Sequence, residues 1–194
     1  MFTGIIETTG KIVSIKHDGS NRHFTIESSI TQELKIDQSI SHDGVCLTVV
    51  AIDGTTYTVT AIDETLKRST VAGWKEGTAI NLERCMKADG RFDGHIVQGH
   101  VDQIAECVSV KDENGSWLFL FIYDASSGNI TVEKGSVTVN GVSLTVVDSG
   151  ADNFSVAIIP YTFEHTNFKN IKKGTAVNIE FDIVGKYIRK IMQN

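Results

Sequence analysis

The stretch SISHDGVCLTVV at residues 39–50 returns as SVTVNGVSLTVV at residues 136–147, at a spacing of 97 positions. The same spacing relates KEGTAINLE at 75–83 to KKGTAVNIE at 172–180. The order of the matched segments is preserved, and a repeat of this length suits a compact domain better than a solenoid unit. We therefore predict two homologous domains and a C-terminal segment, with the bounds 1–93, 94–182 and 183–194.

Within each copy, β-branched runs alternate with Gly and Asp turns, which is typical of strands. Asp43-Gly44 and Asn140-Gly141 each lie between two such runs and indicate two-residue hairpin turns. About six strands per copy, with short helices over residues 29–35 and 126–130, would close into a small antiparallel barrel. The predicted fold class is all-β, with two homologous six-stranded antiparallel barrels and a short C-terminal helix.

The composition argues against several classes of function. Lys and Arg total 18 against 24 Asp and Glu, and the net charge of -6 disfavours a nucleic-acid ligand. No run approaches the roughly 20 apolar residues of a membrane span, and the N-terminus lacks a signal-peptide pattern, so we expect a cytoplasmic protein without membrane contact. Three cysteines without CxxC spacing predict free thiols, and the scattered histidines predict no metal site.

The final segment has a different pattern, because its apolar residues recur near the 3.6-residue spacing of a helix. This predicted apolar face consists of Val184, Tyr187, Ile188, Ile191 and Met192. So short a helix is marginally stable alone. We expect its apolar face to be buried either against the chain's own barrels or against another subunit.

The strand after each hairpin turn carries small polar groups on one face. Strand alternation places Cys46 and Thr48 on the face opposite the apolar residues, and Ser143 and Thr145 repeat this in the second copy. Cys46 alone fits a small buried packing residue. The repeated polarity favours a ligand that binds once in each barrel.

Other polar residues differ between the copies or have two interpretations. Thr65 and Thr162 follow strands and are candidates either for capping a turn or for contacting a ligand. His100 has Ile5 at the matching position, so it is either an acid/base group or a hydrogen-bonded packing residue. A cationic role for Lys134 would belong to the second barrel alone.

Five motifs in order along the chain resemble the riboflavin synthase family of the α-chain type. They are MFTGIIE, DGVCLTV, GRFDGHIVQGHVD, NGVSLTV and IPYT, and together they cover nearly the whole chain. The resemblance implies that both barrels have Greek-key topology and that the C-terminal helix joins three subunits into a homotrimer. It also implies a site between the first barrel of one subunit and the second barrel of its neighbour.

The implied reaction is a dismutation of two molecules of 6,7-dimethyl-8-ribityllumazine. Transfer of a four-carbon unit yields riboflavin and 5-amino-6-ribitylaminouracil. Because the substrate is both donor and acceptor, the resemblance implies no redox or metal cofactor. Association with a lumazine synthase is a further partner that the resemblance suggests.

The resemblance also implies substrate contacts at matching positions of the two copies. The first pocket is expected to use Gly4, Ile5, Ile6, Cys46, Leu47, Thr48, Thr60, Ala61, Ile62, Asp63, Glu64 and Thr65. The second pocket is expected to use Gly99, His100, Val101, Ser143, Leu144, Thr145, Ile159, Pro160, Tyr161, Thr162, Phe163 and Glu164. Positions at or near the site also include Phe2, Ser39, Asp182 and, from an adjacent chain, Lys134.

The candidate catalytic residues are Cys46, His100, Ser39, Ser143 and Thr145. Cys46 is a candidate nucleophile or proton relay, His100 a candidate proton carrier, and Ser143 and Thr145 candidate polar anchors. In this assignment neither barrel holds both Cys46 and His100. The base that removes the proton from the substrate is left open.

Two other functions fit parts of the sequence. The same fold includes lumazine- and flavin-carrying fluorescent proteins, which generally lack a cysteine at the position of Cys46 and bind a ligand in one barrel. A plain β-barrel adaptor would carry the duplicated polar faces without a ligand. The polar pairs in both copies favour the enzyme.

Overall fold

The computed structural model describes residues 1–192, which form twelve strands and three α-helices. Strands β1 to β6 are Thr8–Asp18, Asn21–Glu27, Ser39–His42, Val45–Asp53, Thr56–Ala61 and Ala79–Arg84. Strands β7 to β12 are Gln103–Asp112, Trp117–Ile122, Ser136–Val139, Val142–Ser149, Asn153–Ile158 and Ala176–Phe181. Helices α1, α2 and α3 are Asp63–Arg68, Pro160–His165 and Ile183–Met192.

The strands close into two antiparallel barrels with the same Greek-key topology. The first barrel has the order β1-β2-β5-β4-β3-β6, and β7 to β12 take the corresponding positions in the second. Closure pairs the strand edges that an open sheet would leave exposed. The prediction of two six-stranded antiparallel barrels is confirmed.

Each barrel has its own core, built by the alternation of its strands. In β5, Tyr57, Val59 and Ala61 point inward and are buried, while the threonines between them are half-buried. The buried apolar residues form two separate clusters, one inside each barrel. Full burial of a large apolar side chain contributes about 1.5–3 kcal/mol, so each copy is stabilised largely by its own interior.

The two hairpin turns predicted from the sequence meet between the barrels. Asp43 and Gly44 have φ values of 48° and 81°, and Asn140 and Gly141 have 45° and 80°, as a type I′ turn requires. A Cβ atom on Gly44 would lie 2.9 Å from the backbone nitrogen of Gly141. Glycine is therefore needed here for both the positive φ and the close approach of the turns.

A buried cluster of polar side chains joins the two turns to the opposite barrels. The backbone N–H groups of Asn81 and Asn178 donate to Asp43 Oδ1 and Asn140 Oδ1, at 2.7 and 2.8 Å. Between the barrels, Asn81 Nδ2 donates to Asn140 O and Asn178 Nδ2 to Asp43 O, both at 2.9 Å. Asn167 Nδ2 also donates to Asp43 Oδ1 at 2.9 Å. These bonds fix how the barrels face each other.

The short helices of the barrels do not lie where the sequence predicted them. The segments near residues 29–35 and 126–130 form only three-residue 3₁₀ turns, Thr31–Glu33 and Ala125–Ser127. Helices α1 and α2 occur instead after β5 and β11, and Thr65 lies inside α1 rather than capping it. A six-residue helix spans fewer than two turns, so it leaves no periodic pattern to recognise.

Helix α3 confirms the predicted C-terminal helix as far as Met192, while residues 193 and 194 of the predicted segment lie outside the described residues. Its apolar residues are exposed, from 52% at Ile188 to 81% at Met192. Burial of the stripe against the chain's own barrels, one of the two alternatives, is therefore wrong for this chain. Among residues 1–192, no helix has the length and apolar character needed to cross a membrane.

Candidate functional site

The segments that begin the two copies are exchanged between the barrels. Cys46 N in the first barrel donates to Gly99 O at 2.8 Å, and Ser143 N in the second donates to Gly4 O, also at 2.8 Å. The expected grouping of Gly4 with Cys46 and of Gly99 with Ser143 is therefore wrong within one chain. An alignment of repeats shows which residues are equivalent, but it does not show that a segment crosses to the other copy.

The crossing point is a short antiparallel contact between Phe2 and Val97. Phe2 N donates to Val97 O at 2.7 Å, and Val97 N donates to Phe2 O at 3.1 Å. Beyond this contact, Val101 packs against the core of the first barrel and Ile6 against the core of the second. Each barrel is thus completed by the segment that begins the other copy.

The first pocket is a cavity of about 490 Å³ between the first barrel, α1 and the exchanged segment. It is lined by Val45, Cys46, Glu64, Thr65, Arg68, Ser69, Gln98, Gly99, His100, Val101, Asp102 and Lys186. Cys46 and His100 therefore line the same pocket of one chain. The expectation that they lie in different barrels is wrong, because His100 follows the exchanged Gly99.

Cys46 is half-buried and lines the first pocket. Burial raises the pKa of its thiol, and the neighbouring Ser39 side chain opposes that shift. A Cβ atom on Gly99 would lie 2.7 Å from Cys46 Cβ and 2.8 Å from Phe2 Cε2, so the three residues pack closely. Because nucleophilic cysteines need a lowered pKa, this environment favours Cys46 as a proton relay over a thiolate nucleophile.

Charged pairs form the outer wall of the first pocket. Lys186 Nζ on α3 lies 2.6 Å from Asp102 Oδ2, which also accepts a hydrogen bond from Phe181 N at 2.9 Å. Arg68 Nε lies 2.8 Å from Glu64 Oε1 on α1. The wall therefore offers both donors and acceptors to a polar ligand, and it includes a residue of the C-terminal helix.

The matching site of the second barrel, beside Ser143, contains a histidine that was not among the predicted site residues. His95 Nδ1 lies 2.6 Å from Ser143 Oγ, and its Nε2 lies 3.1 Å from Thr138 Oγ1. Burial lowers the pKa of His95, and the charge of Asp182 opposes that shift. The ring is therefore neutral near pH 7, with one nitrogen able to donate and the other to accept. His95 lies within the motif GRFDGHIVQGHVD, but the sequence does not show that the bend before the exchanged segment brings it to Ser143.

The two barrels differ in the side chains that they carry at matching positions. In the second barrel, Trp117 stacks on Phe163 of α2 with ring centroids 3.9 Å apart. At the matching positions, the first barrel has Arg22 on β2 and Leu66 on α1. The second barrel therefore has a stacked aromatic pair at positions where the first barrel has Arg22 and Leu66.

Several expected site residues lie outside the lining of the first pocket. Thr48 and Thr145 are exposed on the outer face of their strands. Asp182 Oδ1 accepts a hydrogen bond from Val184 N at 2.9 Å, where α3 begins. Lys134 is exposed in a turn with a φ of 63°.

The other cysteines lie outside the lining of the first pocket. Cys85 is half-buried with its Sγ 3.3 Å from Ser39 O, and Cys107 is in the core of the second barrel. All three cysteines are free, which confirms the prediction of free thiols. Within the described chain, no group of three or more His, Cys, Asp and Glu residues is arranged to hold a metal ion.

Comparison with known proteins places both barrels in one domain family. The family model described as the lumazine binding domain matches residues 3–85 and again residues 98–182. The two matches follow the two barrels and together cover most of the chain. The two matches place the chain in the class of proteins that carry a duplicated lumazine binding domain.

Relatives of this chain extend over nearly its whole length. Riboflavin synthase of Actinobacillus pleuropneumoniae is 41% identical over 193 residues, which cover 99% of this chain and 90% of the relative. Riboflavin synthase of Bacillus subtilis is 39% identical with the same coverage. The chain belongs to the riboflavin synthase family.

Solved structures agree on the fold. LumP complexed with 6,7-dimethyl-8-(1′-D-ribityl) lumazine is 21% identical, with a TM-score of 0.84 over 93% of this chain and 98% of that chain. LumP complexed with riboflavin is 23% identical, with a TM-score of 0.85 over 93% of this chain and 99% of that chain. At this identity the likeness establishes the shared double-barrel fold.

Proposed function

We propose that this protein catalyses the dismutation of two 6,7-dimethyl-8-ribityllumazine molecules to riboflavin and 5-amino-6-ribitylaminouracil. The observation that carries the proposal is a duplicated backbone contact, in which the N–H of Cys46 or Ser143 donates to the carbonyl oxygen of a glycine on an exchanged segment at 2.8 Å. A reaction between two molecules of one compound requires two sites of similar shape. The relatives named riboflavin synthase support the same conclusion.

The differences between the pockets suit the different parts that the two molecules play. One lumazine gives up a four-carbon unit and the other receives it, so the two sites must treat the same ring differently. The first pocket has Cys46 and His100, whereas the second has Ser143 hydrogen-bonded to the neutral His95. Binding is therefore similar in both barrels while proton transfer differs.

The chemistry requires mainly positioning and modest acid/base assistance. The acceptor loses a proton from its 7-methyl group, and the resulting carbanion adds to C7 of the second molecule. As the four-carbon unit becomes bonded to the acceptor, its bonds to the two ring nitrogens of the donor break. The donor leaves as 5-amino-6-ribitylaminouracil, and its released nitrogens take up the protons lost from the methyl groups. The anion is delocalised over the ring system, so a weak base is sufficient. His100 serves as proton carrier and the Cys46 thiol as hydrogen-bond donor. Holding both rings together is the largest contribution, since well-oriented reactants gain effective molarities of about 10⁵–10⁸ M.

A homotrimer assembled through α3 would bring a first pocket against the second pocket of a neighbour. The exposed stripe of α3 borders an apolar groove of about 500 Å³ against Ile130, Val132 and Gly135 of the second barrel. Another copy of the chain would bury both surfaces. Lys134 lies in the same turn, which suits its expected contact with an adjacent chain. Association with a lumazine synthase stays a prediction.

The division into residues 1–93, 94–182 and 183–194 is part of the proposal. Each of the first two units contains six strands, and the last contains α3. Because the opening segments are exchanged, neither barrel unit completes its own pocket. The two units depend on each other for binding even though each has its own core.

The test is turnover of the purified protein with 6,7-dimethyl-8-ribityllumazine alone. We expect riboflavin absorbance to appear with an equal amount of the pyrimidine product, and the rate to fall in His100→Gln. Bound, fluorescent and unchanged lumazine would identify a carrier instead. Absence of both binding and turnover would favour an adaptor.

A further inference from the structure

We propose that Glu180 is a positioning residue of the first pocket, whose carboxylate fixes the Gly99–His100 turn and so places the His100 imidazole. The inference rests on the proposed function of that pocket, in which His100 carries a proton. Glu180 lies on β12 of the second barrel and is 2% exposed. It therefore connects the second barrel to the pocket of the first.

Three successive backbone groups of the turn converge on this carboxylate. Gln98 N donates to Glu180 Oε1 at 2.7 Å, and Gly99 N and His100 N donate to Oε2 at 2.9 and 2.8 Å. Burial raises the pKa of the Glu180 carboxyl, and the N–H donors oppose that shift. Three bonds to one rigid group fix the planes of consecutive peptides, and with them the direction in which the His100 side chain leaves the backbone.

The rest of the turn leaves little freedom to compensate for a lost bond. Gly99 has a φ of 79° and is wedged against Cys46 and Phe2. Beyond His100, Asp102 is tied to Phe181 N and to Lys186. The His100 side chain itself is exposed, so its position follows from the backbone on both sides.

The first copy provides a matched control in Glu83, which lies 97 positions earlier on β6. Thr3 N, Thr3 Oγ1 and Gly4 N donate to the Glu83 carboxylate at 2.7, 2.9 and 2.9 Å. Glu83 is also buried, and burial likewise raises the pKa of its carboxyl. The turn that it holds continues to Ile5 instead of a histidine. Glu83→Gln therefore removes an equivalent carboxylate without removing any bond to the Gly99–His100 turn.

The experiment compares Glu180→Gln, Glu83→Gln, His100→Gln and the Glu180→Gln/His100→Gln double variant of the full chain. Glutamine keeps one acceptor oxygen and turns an NH₂ group toward the remaining N–H donors. We expect Glu180→Gln to lower kcat about 10- to 100-fold, the loss associated with a displacement of roughly 1 Å, and to change KM little. When His100 is already replaced by glutamine, Glu180→Gln is expected to alter kcat by less than about twofold, because Glu180 acts through the His100 side chain.

A spectroscopic readout separates positioning from general destabilisation. The imidazole NMR resonances of His100, assigned with His100→Gln, are expected to shift in Glu180→Gln and to stay unchanged in Glu83→Gln, although both variants melt at lower temperature. The proposal would be overturned if Glu180→Gln lowered kcat as much in the His100→Gln variant as in the wild type. It would also be overturned if the His100 resonances shifted equally in Glu180→Gln and Glu83→Gln.

Two further outcomes are also decisive. If Glu180→Gln does not fold, Glu180→Asp is measured in the same way, since it keeps the charge on a shorter side chain. Failure of both Glu180 variants to fold while Glu83→Gln folds would make Glu180 a purely structural residue and refute the proposal. If the wild-type protein does not convert the lumazine, the proposed function fails, and the His100 resonances still test whether Glu180 places the imidazole.

Discussion

Replacement of Asp43 by asparagine is predicted to stabilise the protein increasingly as the pH rises. Asp43 holds the place that Asn140 has in the second copy, with nearly the same φ. Its Oδ1 accepts from Asn81 N and Asn167 Nδ2, and an asparagine oxygen can accept both bonds. Burial raises the pKa of the Asp43 carboxyl from 3.8 to about 8. The folded protein therefore holds a proton that the unfolded chain releases.

The sign and size of the effect follow from this difference in pKa. Below pH 3.8 Asp43 is protonated in both states, so the variant and the wild type are expected to differ little. Between pH 3.8 and about 8, unfolding of the wild type releases a proton, and its free energy of unfolding falls by about 1.4 kcal/mol per pH unit. The free energy of unfolding of Asp43→Asn does not fall in this way. We therefore expect it to exceed that of the wild type by up to about 4 kcal/mol at pH 7.

The assay is urea unfolding of wild type and Asp43→Asn at intervals from pH 4 to 9. His42, whose pKa burial lowers to about 4, affects both proteins alike and cancels in the difference. Asn140→Asp serves as the matched control, because a second buried carboxyl is expected to steepen the pH dependence. A constant difference across this range, or a variant less stable than wild type at pH 8, would refute the reasoning.

Three other predictions follow from the exchange of segments and from α3. Truncation after Asp182 is expected to lower the sedimenting mass from trimer to monomer; an unchanged mass would exclude α3 from the interface. When His100→Gln and Cys46→Ser chains are mixed and refolded together, we expect no recovery of activity, because Cys46 and His100 line the same pocket of one chain. An activity of the mixture above the average of the two parents would contradict this. We expect a fragment of residues 1–102 to bind riboflavin more tightly than a fragment of residues 1–93, because only the longer one includes the segment that completes the first barrel. Equal affinities in equilibrium titrations would show that this segment does not contribute to binding.

The duplicated barrels and the polar faces of the pockets were predictable from local patterns. The turn at Asp43-Gly44 and the strand through Cys46 depend on residues close together in sequence, and the second copy repeats both. Strand alternation then determines which side chains share a face. Ser143 was predicted at an equivalent position for the same reason.

The composition of each pocket was not predictable, because it depends on contacts between distant segments. The repeats and the strand alternation in the sequence are the same whether Gly4 and Gly99 complete their own barrels or the opposite ones. His95 reaches Ser143 only after the chain bends before the exchanged segment. Glu180 looks like an ordinary charged residue near a strand end, and its function follows from three backbone donors about 80 residues away.

A crystal structure of the complex with riboflavin tests most directly whether both barrels bind the same ligand in pockets closed by exchanged segments. We expect one flavin in each barrel of every chain. The first flavin is expected to contact Cys46 and Gly99–Val101, and the second Ser143 and Gly4–Ile6 of the same chain. A ligand in only one barrel, or a first-barrel ligand held by Gly4–Ile6 of its own chain, would contradict this expectation.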